Sequence, residues 1–160
     1  MGLPTPLSQT AAPPNSGAMT RPIAEELDTL ADEFDTLGDP MEPERYRHLM
    51  DLGRDLEPLA DAERTDANKV RGCASQVWLV TERANETLRF RGDSDSDIVR
   101  GLVAVLVRLF SGQSPRAILD FDVRAAFARL GFESAISSQR SNGFFSMVQR
   151  LRREAEAMLG

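Results

Sequence analysis

Apolar residues repeat along this chain at two different spacings, one at each end and another in the middle. Toward both ends they recur three and four positions apart, the spacing of an amphipathic helix. Glycine and proline punctuate these stretches, as at 38–40, 112–115 and 131, and mark where helices end and begin. The predicted helices are, in order, 22–37, 43–53, 98–110, 121–130 and 142–159, with a short helical turn at 114–115.

The middle of the chain changes to a strand-like pattern. Residues 77–80 are β-favouring, and apolar Leu88 and Phe90 alternate with arginines. We therefore expect strands at 76–83 and 87–92, joined by a turn at 83–86. A two-stranded hairpin is marginal alone, and the stretch 68–71 is a candidate third strand. The order of elements predicts an α+β domain, a small antiparallel three-stranded sheet with helices packed on one face.

The first twenty residues differ from the rest of the chain. They are rich in Pro, Ser, Thr and Gly and carry no charge, which predicts a flexible tail at 1–20 before one domain at 21–160. We expect no membrane span, because the most apolar stretch, 98–110, is short and contains two arginines. The start of the chain lacks the pattern of a secretory signal. With a single cysteine, this favours a cytoplasmic protein.

The charge is negative overall and unevenly distributed. The net charge of −6 disfavours nucleic acid as the main partner. Residues 1–66 carry fifteen acidic and five basic residues, whereas residues 67–160 carry ten acidic and fourteen basic residues. One interpretation is a set of solvated helix faces. The other is that the second part presents a mildly basic surface to an acidic partner.

Cys73 is the single cysteine, and it lies among small residues. One thiol forms no disulfide within the chain, and it supplies too few ligands for most structural metal sites. Gly72 before it allows an unusual backbone conformation, and Ala74 and Ser75 after it keep the approach open. The residues alone leave two interpretations open, a buried inert cysteine or a reactive thiolate favoured by Arg71 or another cation.

Three further features have a functional and a structural interpretation. His48, the only histidine, is the sole candidate for a Cys-His pair, but its position among apolar residues favours a structural role. Asp93, Asp95 and Asp97 resemble the start of a calcium loop; they lack its later Gly and Glu, which favours helix capping by Ser94 and Asp97. Arg140, in the polar loop before the last helix, is either a loop residue or a group that attracts a thiolate or persulfide.

Several of these segments together resemble the SufE family of sulfur-acceptor proteins. The segment 72–78, Gly-Cys-Ala-Ser-Gln-Val-Trp, is similar to the family's G-C-x-S-x-V-W signature. The segments 92–95 and 98–102 resemble its D-S-D and I-V-K/R-G-L motifs, and 46–53 its early Y-x-x-L-x-x-L-G helix. Residues 138–143 resemble its S-R-S-x-G ending, with Gln139 where the family often has Ser.

The resemblance implies a function for the chain. It implies that Cys73 accepts sulfur from a SufS- or CsdA-like, PLP-dependent cysteine desulfurase, that the chain stimulates that enzyme, and that the sulfur passes to an iron–sulfur assembly scaffold. Gly72, Ser75, Asp95 and Arg140 would form the acceptor loop and the persulfide environment. Apolar cover from Val77, Trp78 and the helix 98–110 would shield the persulfide. PLP would belong to the partner, and the chain itself would need no cofactor or metal.

Two other functions stay open at this point. One is a stand-alone thiol enzyme, which would need a base near Cys73. The other is a desulfurase-binding module whose cysteine transfers nothing. Cluster scaffolding is disfavoured by composition, because one thiolate falls short of the roughly four ligands that a cluster needs.

Overall fold

The computed structural model describes residues 21–40, 42–73, 75–137 and 142–159. The predicted tail at 1–20 lies outside the described residues. Within them the chain forms seven α-helices, one 3₁₀ turn at Asp61–Glu63 and two strands. The helices are α1 Ile23–Asp35, α2 Pro43–Arg54, α3 Asp97–Phe110, α4 Pro115–Asp120, α5 Val123–Arg129, α6 Glu133–Ser137 and α7 Asn142–Leu159. The strands are β1 Val77–Ala84 and β2 Thr87–Ser94.

The long helices form where the apolar spacing predicts them. In α1 the buried residues follow one face, and α2 begins at Pro43, whose fixed φ suits the first helical position. α3 is buried almost all round and runs through the middle of the core. No described helix has the length and apolar character to cross a membrane. The short helix α6 is an element that apolar spacing does not predict.

The sheet in the described residues has two strands, so the prediction of three is wrong. The stretch 68–71 does lie beside β1, where Val70 N donates to Val77 O at 2.8 Å and Leu79 N donates to Asn68 O at 2.8 Å. Pairing stops at this single bridge because the chain turns on both sides of it. A turn at 65–69 precedes the bridge, and Gly72, at a φ of +86°, turns the backbone after it.

The hairpin buries one face and exposes polar groups on the other. β1 and β2 pair antiparallel from Val77 opposite Ser94 to Ala84 opposite Thr87, and Asn85 adopts a φ of +58° in the turn. The buried face lies on α3, so closely that a Cβ on Gly92 would approach Val103 Cγ1 to 2.8 Å. The opposite face carries Arg91, which pairs with Glu63 of the 3₁₀ turn. This arrangement confirms the α+β class.

The start of α3 differs in detail from the predicted capping box. Ser96, not Ser94, accepts the hydrogen bond from Val99 N, at 3.4 Å. Ser94 ends β2 and is buried, and its Oγ accepts from Ser96 N at 3.2 Å. The strand therefore extends two residues further than predicted, which moves the cap to the next available serine.

Arg45 joins three segments of the helical layer from a buried position. It is 2% exposed, and its guanidinium donates to Phe34 O at 2.6 Å, to Gly38 O at 3.0 Å and to Leu130 O. These carbonyls lie at the C-terminal ends of α1 and α5, where the helix dipole favours a cation. Arg45 therefore fixes the helices around the core.

Candidate functional site

Cys73 lies on the loop that joins the 68–70 bridge to β1, and it is half-buried. The turn at Gly72 carries the cysteine toward the start of α7, because a φ of +86° is readily accessible to glycine and strained for other residues. Its thiol donates weakly to the backbone carbonyl of Gly143, with the Sγ–O distance at 3.6 Å. The loop therefore holds the sulfur against a helix, not pointing into solvent.

A small apolar recess surrounds the thiol. Its volume is about 10 Å³, at the lower limit of what can hold a single water molecule. Residues from the loop, α3 and α7 line it: Cys73, Ser75, Val99, Leu102, Gly143, Phe144 and Met147. The site is therefore a sheltered recess with space for at most one small atom beside the sulfur.

The predicted apolar cover is right for α3 and wrong for β1. Val99 and Leu102 line the recess, as expected of the helix 98–110. Val77 is fully buried in the core and does not line it. Trp78 points to the other side of the strand, where the Arg64 guanidinium lies 5.1 Å from its ring. The residues from α7 that complete the cover were missed, although Gly143 at the start of a helical pattern is a signal of close approach.

Burial raises the pKa of the Cys73 thiol above its ordinary value. This opposes the expectation that a nearby cation favours the thiolate. Arg71 is exposed and does not line the recess. Arg140, the other candidate cation, lies outside the described residues. In the conformation described, burial therefore favours the neutral thiol over the thiolate.

Asp95 fixes the end of the Cys73 loop that leads into β1. Its Oδ1 accepts from Gln76 N at 3.0 Å, and its own backbone N donates to Gln76 O at 3.2 Å. These two bonds close the loop just before β1 starts. Asp95 thus acts on the loop through the backbone of Gln76. Ser75, two residues from the cysteine, lines the recess itself.

The aspartates of the 93–97 segment have structural partners. Asp93 accepts from Arg64 and from Arg100, each at 2.8 Å. Although burial raises its pKa, the hydrogen bonds from Arg64 and Ser94 N and the nearby Arg100 lower it below the ordinary value. Among the described residues no group of His, Cys, Asp and Glu is placed to hold a metal ion. The geometry favours the structural interpretation of this segment.

His48 takes part in a separate cluster between α1 and α2. Its Nε2 lies 3.1 Å from Glu33 Oε1, and its ring packs edge-on against Phe34 with 4.9 Å between centroids. Burial raises the pKa of Glu33, but hydrogen bonds from Arg108 and His48 lower it below the ordinary value. His48 does not line the recess around Cys73. The structural role expected for this histidine agrees with its contacts.

Fold and site together define a class of protein: an α+β domain that shelters a lone loop cysteine in an apolar recess. Residues 28–155 match the family model SufE, described as Fe-S metabolism associated domain. The chain therefore belongs to the SufE family, and its role lies in iron–sulfur metabolism.

The chain is similar to curated proteins and to a solved structure. It is 48% identical over 117 residues to an uncharacterised SufE-like protein of Rhizobium etli, covering 71% of this chain and 79% of the relative. It is 44% identical over 120 residues to another from Rhizobium meliloti, covering 72% and 86%. The solution structure of a hypothetical protein from Thermus thermophilus has a TM-score of 0.68 at 17% identity, covering 84% of this chain and 96% of that one. That likeness shows the fold.

Proposed function

We propose that this protein accepts sulfur on Cys73 from the persulfide of a PLP-dependent cysteine desulfurase, stimulates that enzyme, and delivers the sulfur to an iron–sulfur assembly scaffold. The observation that carries the proposal is a single thiol beside a recess of about 10 Å³. A carrier of one sulfur atom needs one thiol and shelter for one atom. The desulfurase holds the PLP, and the transfer takes place in the cytoplasm.

The transfer step is a thiol exchange at sulfur. The Cys73 thiolate attacks the terminal sulfur of the donor persulfide, and a new S–S bond forms on Cys73. The bond between the two donor sulfurs breaks, and the donor cysteine leaves as a thiolate. The proton that Cys73 gave up is available to that leaving thiolate. No external oxidant or reductant is needed, because the sulfane sulfur moves unchanged from one cysteine to the other.

The resting geometry protects the sulfur and must open for transfer. Inside the recess the raised pKa keeps the thiol neutral, so attack requires a more polar environment on the partner. After loading, the terminal sulfur occupies a space bounded by Val99, Leu102 and Met147, which excludes larger thiols. Gly72 provides a point about which the loop swings, and Asp95 anchors its other end at Gln76.

One alternative function is also compatible with the site. A desulfurase-binding module with a non-transferring cysteine agrees with the raised pKa of the resting thiol. A stand-alone thiol enzyme gains no support, because the lone histidine is engaged with Glu33 and Phe34 away from the recess. These functions differ in what becomes of Cys73 during desulfurase turnover.

The test follows the sulfur. The protein is incubated with a cysteine desulfurase from the same organism, PLP and cysteine, and its intact mass is measured without reductant. We expect a gain of one sulfur, about 32 Da, that is absent in Cys73→Ser. Full stimulation of the desulfurase by Cys73→Ser, with no adduct on the wild-type protein, would favour the binding module instead.

A further inference from the structure

A second pocket, which the sulfur chemistry above does not use, lies beside the cysteine loop. It has a volume of about 220 Å³, and we call it the basic pocket because Lys69, Arg71, Arg150 and Arg153 line it together with Ser146 and Gln149. Two of these cations come from the segment before Cys73 and two from α7. Four cations thus converge on one hollow of a chain whose net charge is −6.

Most of the charge in the basic pocket is free to meet an external anion. Within the described residues only Arg150 has an acidic partner there, Glu154 at 3.2 Å, while Lys69, Arg71 and Arg153 form no ion pair. Arg71 and Arg153 are exposed, and Lys69 is half-buried. Like charges brought together repel one another, and an anion in the pocket would relieve that repulsion.

The pocket is built on fixed backbone. Arg150 donates to Ala67 O at 2.8 Å and to Lys69 O at 3.5 Å, which ties the segment before Cys73 to α7. Its volume is below the range of roughly 300–1,000 Å³ that holds most small-molecule ligands and cofactors. It suits one or two carboxylate side chains better than a cofactor.

The pocket adjoins the surface on which sulfur must be exchanged. Ser146 belongs to its lining, and a Cβ on Gly72 would lie 2.9 Å from Ser146 Oγ, so pocket and loop share a wall. A protein that reaches Cys73 therefore also covers the pocket. Since the chain is acidic elsewhere, a basic spot here would orient an acidic partner toward the cysteine.

We propose that the basic pocket receives carboxylate side chains of an acidic segment of the cysteine desulfurase, which positions Cys73 for transfer. The inference rests on the proposed function for the identity of the partner. The basic pocket is then the place where the second part of the chain, which has more basic than acidic residues, presents a basic surface to its partner.

Lys69 allows a direct test, because it is the only lysine in the sequence. The full-length protein is mixed with the PLP-loaded desulfurase and treated with a carbodiimide, which joins an amine to a carboxylate without a spacer. We expect a cross-linked peptide that joins Lys69 to an Asp or Glu of the desulfurase. Lys69→Arg should lose this product yet bind equally well, since the charge remains. A saturated complex that yields no Lys69 cross-link would overturn the proposal.

Affinity gives the second readout. The dissociation constant of the complex with the desulfurase is measured for two variants. One removes three charges from the basic pocket, and the control removes three exposed charges elsewhere. Each is measured at about 0.05 M and about 0.2 M salt. The pocket variant is Lys69→Gln, Arg71→Gln and Arg153→Gln, and the control is Arg47→Gln, Arg83→Gln and Arg116→Gln. We expect about tenfold weaker binding and a smaller salt dependence for the pocket variant, against less than about twofold for the control. Equal effects in the two variants would refute a specific pocket.

Sulfur loading separates this inference from the proposed function. At saturating desulfurase the pocket variant should still gain one sulfur on Cys73, because none of its substitutions touches the thiol. If the wild-type protein binds the desulfurase but gains no sulfur, the proposed function fails. The comparison of affinities between the pocket variant and the control still tests whether the basic pocket binds the desulfurase.

Discussion

Gly143→Ala is the substitution that tests the resting position of Cys73 most sharply. Gly143 is buried at the start of α7 and lines the recess. A Cβ placed on it would overlap the Cys73 Sγ and would lie 2.7 Å from Cys73 Cβ and 2.9 Å from Cys73 Cα. Contacts this short cannot persist, so either the helix or the loop must move.

We expect the Cys73 loop to move and α7 to stay in place, because α7 is anchored more firmly in the core than the loop is. Phe144 and Met147, next along the helix, are each 1% exposed, whereas Gly72 of the loop is exposed. Overpacking of this kind costs about 1–3 kcal/mol, and the better helix propensity of alanine offsets at most about 1 kcal/mol. We therefore expect a loss of about 0–3 kcal/mol in the free energy of unfolding. The same strain should favour the open loop by about 1.4 kcal/mol, a factor of about ten.

Two measurements check this. The rate of iodoacetamide alkylation of Cys73 at fixed pH should rise about tenfold in Gly143→Ala, since the thiol is displaced from its apolar recess. Denaturant unfolding gives the stability change, and the double variant with Cys73→Gly should recover most of it because two of the three overlaps vanish. An unchanged alkylation rate in a stably folded Gly143→Ala protein would refute the resting position described for the thiol.

Three further outcomes are expected from single sites. Arg45→Met should lower the free energy of unfolding by about 3 kcal/mol, because three backbone carbonyls lose a buried charged donor. The control Arg47→Met, at an exposed position, should change it by less than about 0.5 kcal/mol. A small effect at Arg45 would contradict its bridging role. The alkylation rate of Cys73 in the free protein should rise with pH through an apparent pKa above that of an ordinary cysteine, because burial raises the pKa of the thiol, and a midpoint below the ordinary value would show a thiolate-stabilising group instead. Asp95→Ala should speed hydrogen exchange at the Gln76 amide, which loses its carboxylate acceptor, and unchanged exchange would show that Asp95 does not hold the loop.

The elements that the sequence predicts well are those whose signal is local. Apolar spacing within one helix determines which face is buried, so α1, α2, α3 and α7 lie where their periodicity places them. The hairpin follows from β-favouring runs on either side of a turn. The residue type at position 72 also predicts an unusual backbone, and the positive φ of Gly72 agrees with that expectation.

The features that the sequence does not predict depend on distant residues. A third strand is expected because a two-stranded hairpin is marginal alone, but turns before and after Lys69 limit its pairing to one bridge with Trp78. Arg45 is a residue type typical of the surface, and it is buried only because α1 and α5 place their carbonyls around it.

The burial of Cys73 depends on packing across the chain in the same way. The loop that carries it lies against Gly143, seventy positions further along. Its small flanking residues suggest an accessible thiol, and only the packing of α7 shows that it is sheltered.

The central claim is that Cys73 carries one sulfur atom, and intact mass after desulfurase turnover tests it most directly. The protein, the desulfurase, PLP and cysteine are combined, and the reaction is quenched without thiols. We predict a species heavier by about 32 Da, mapped to Cys73 and absent from Cys73→Ser. An unmodified Cys73 in a complex that turns over cysteine would contradict the account.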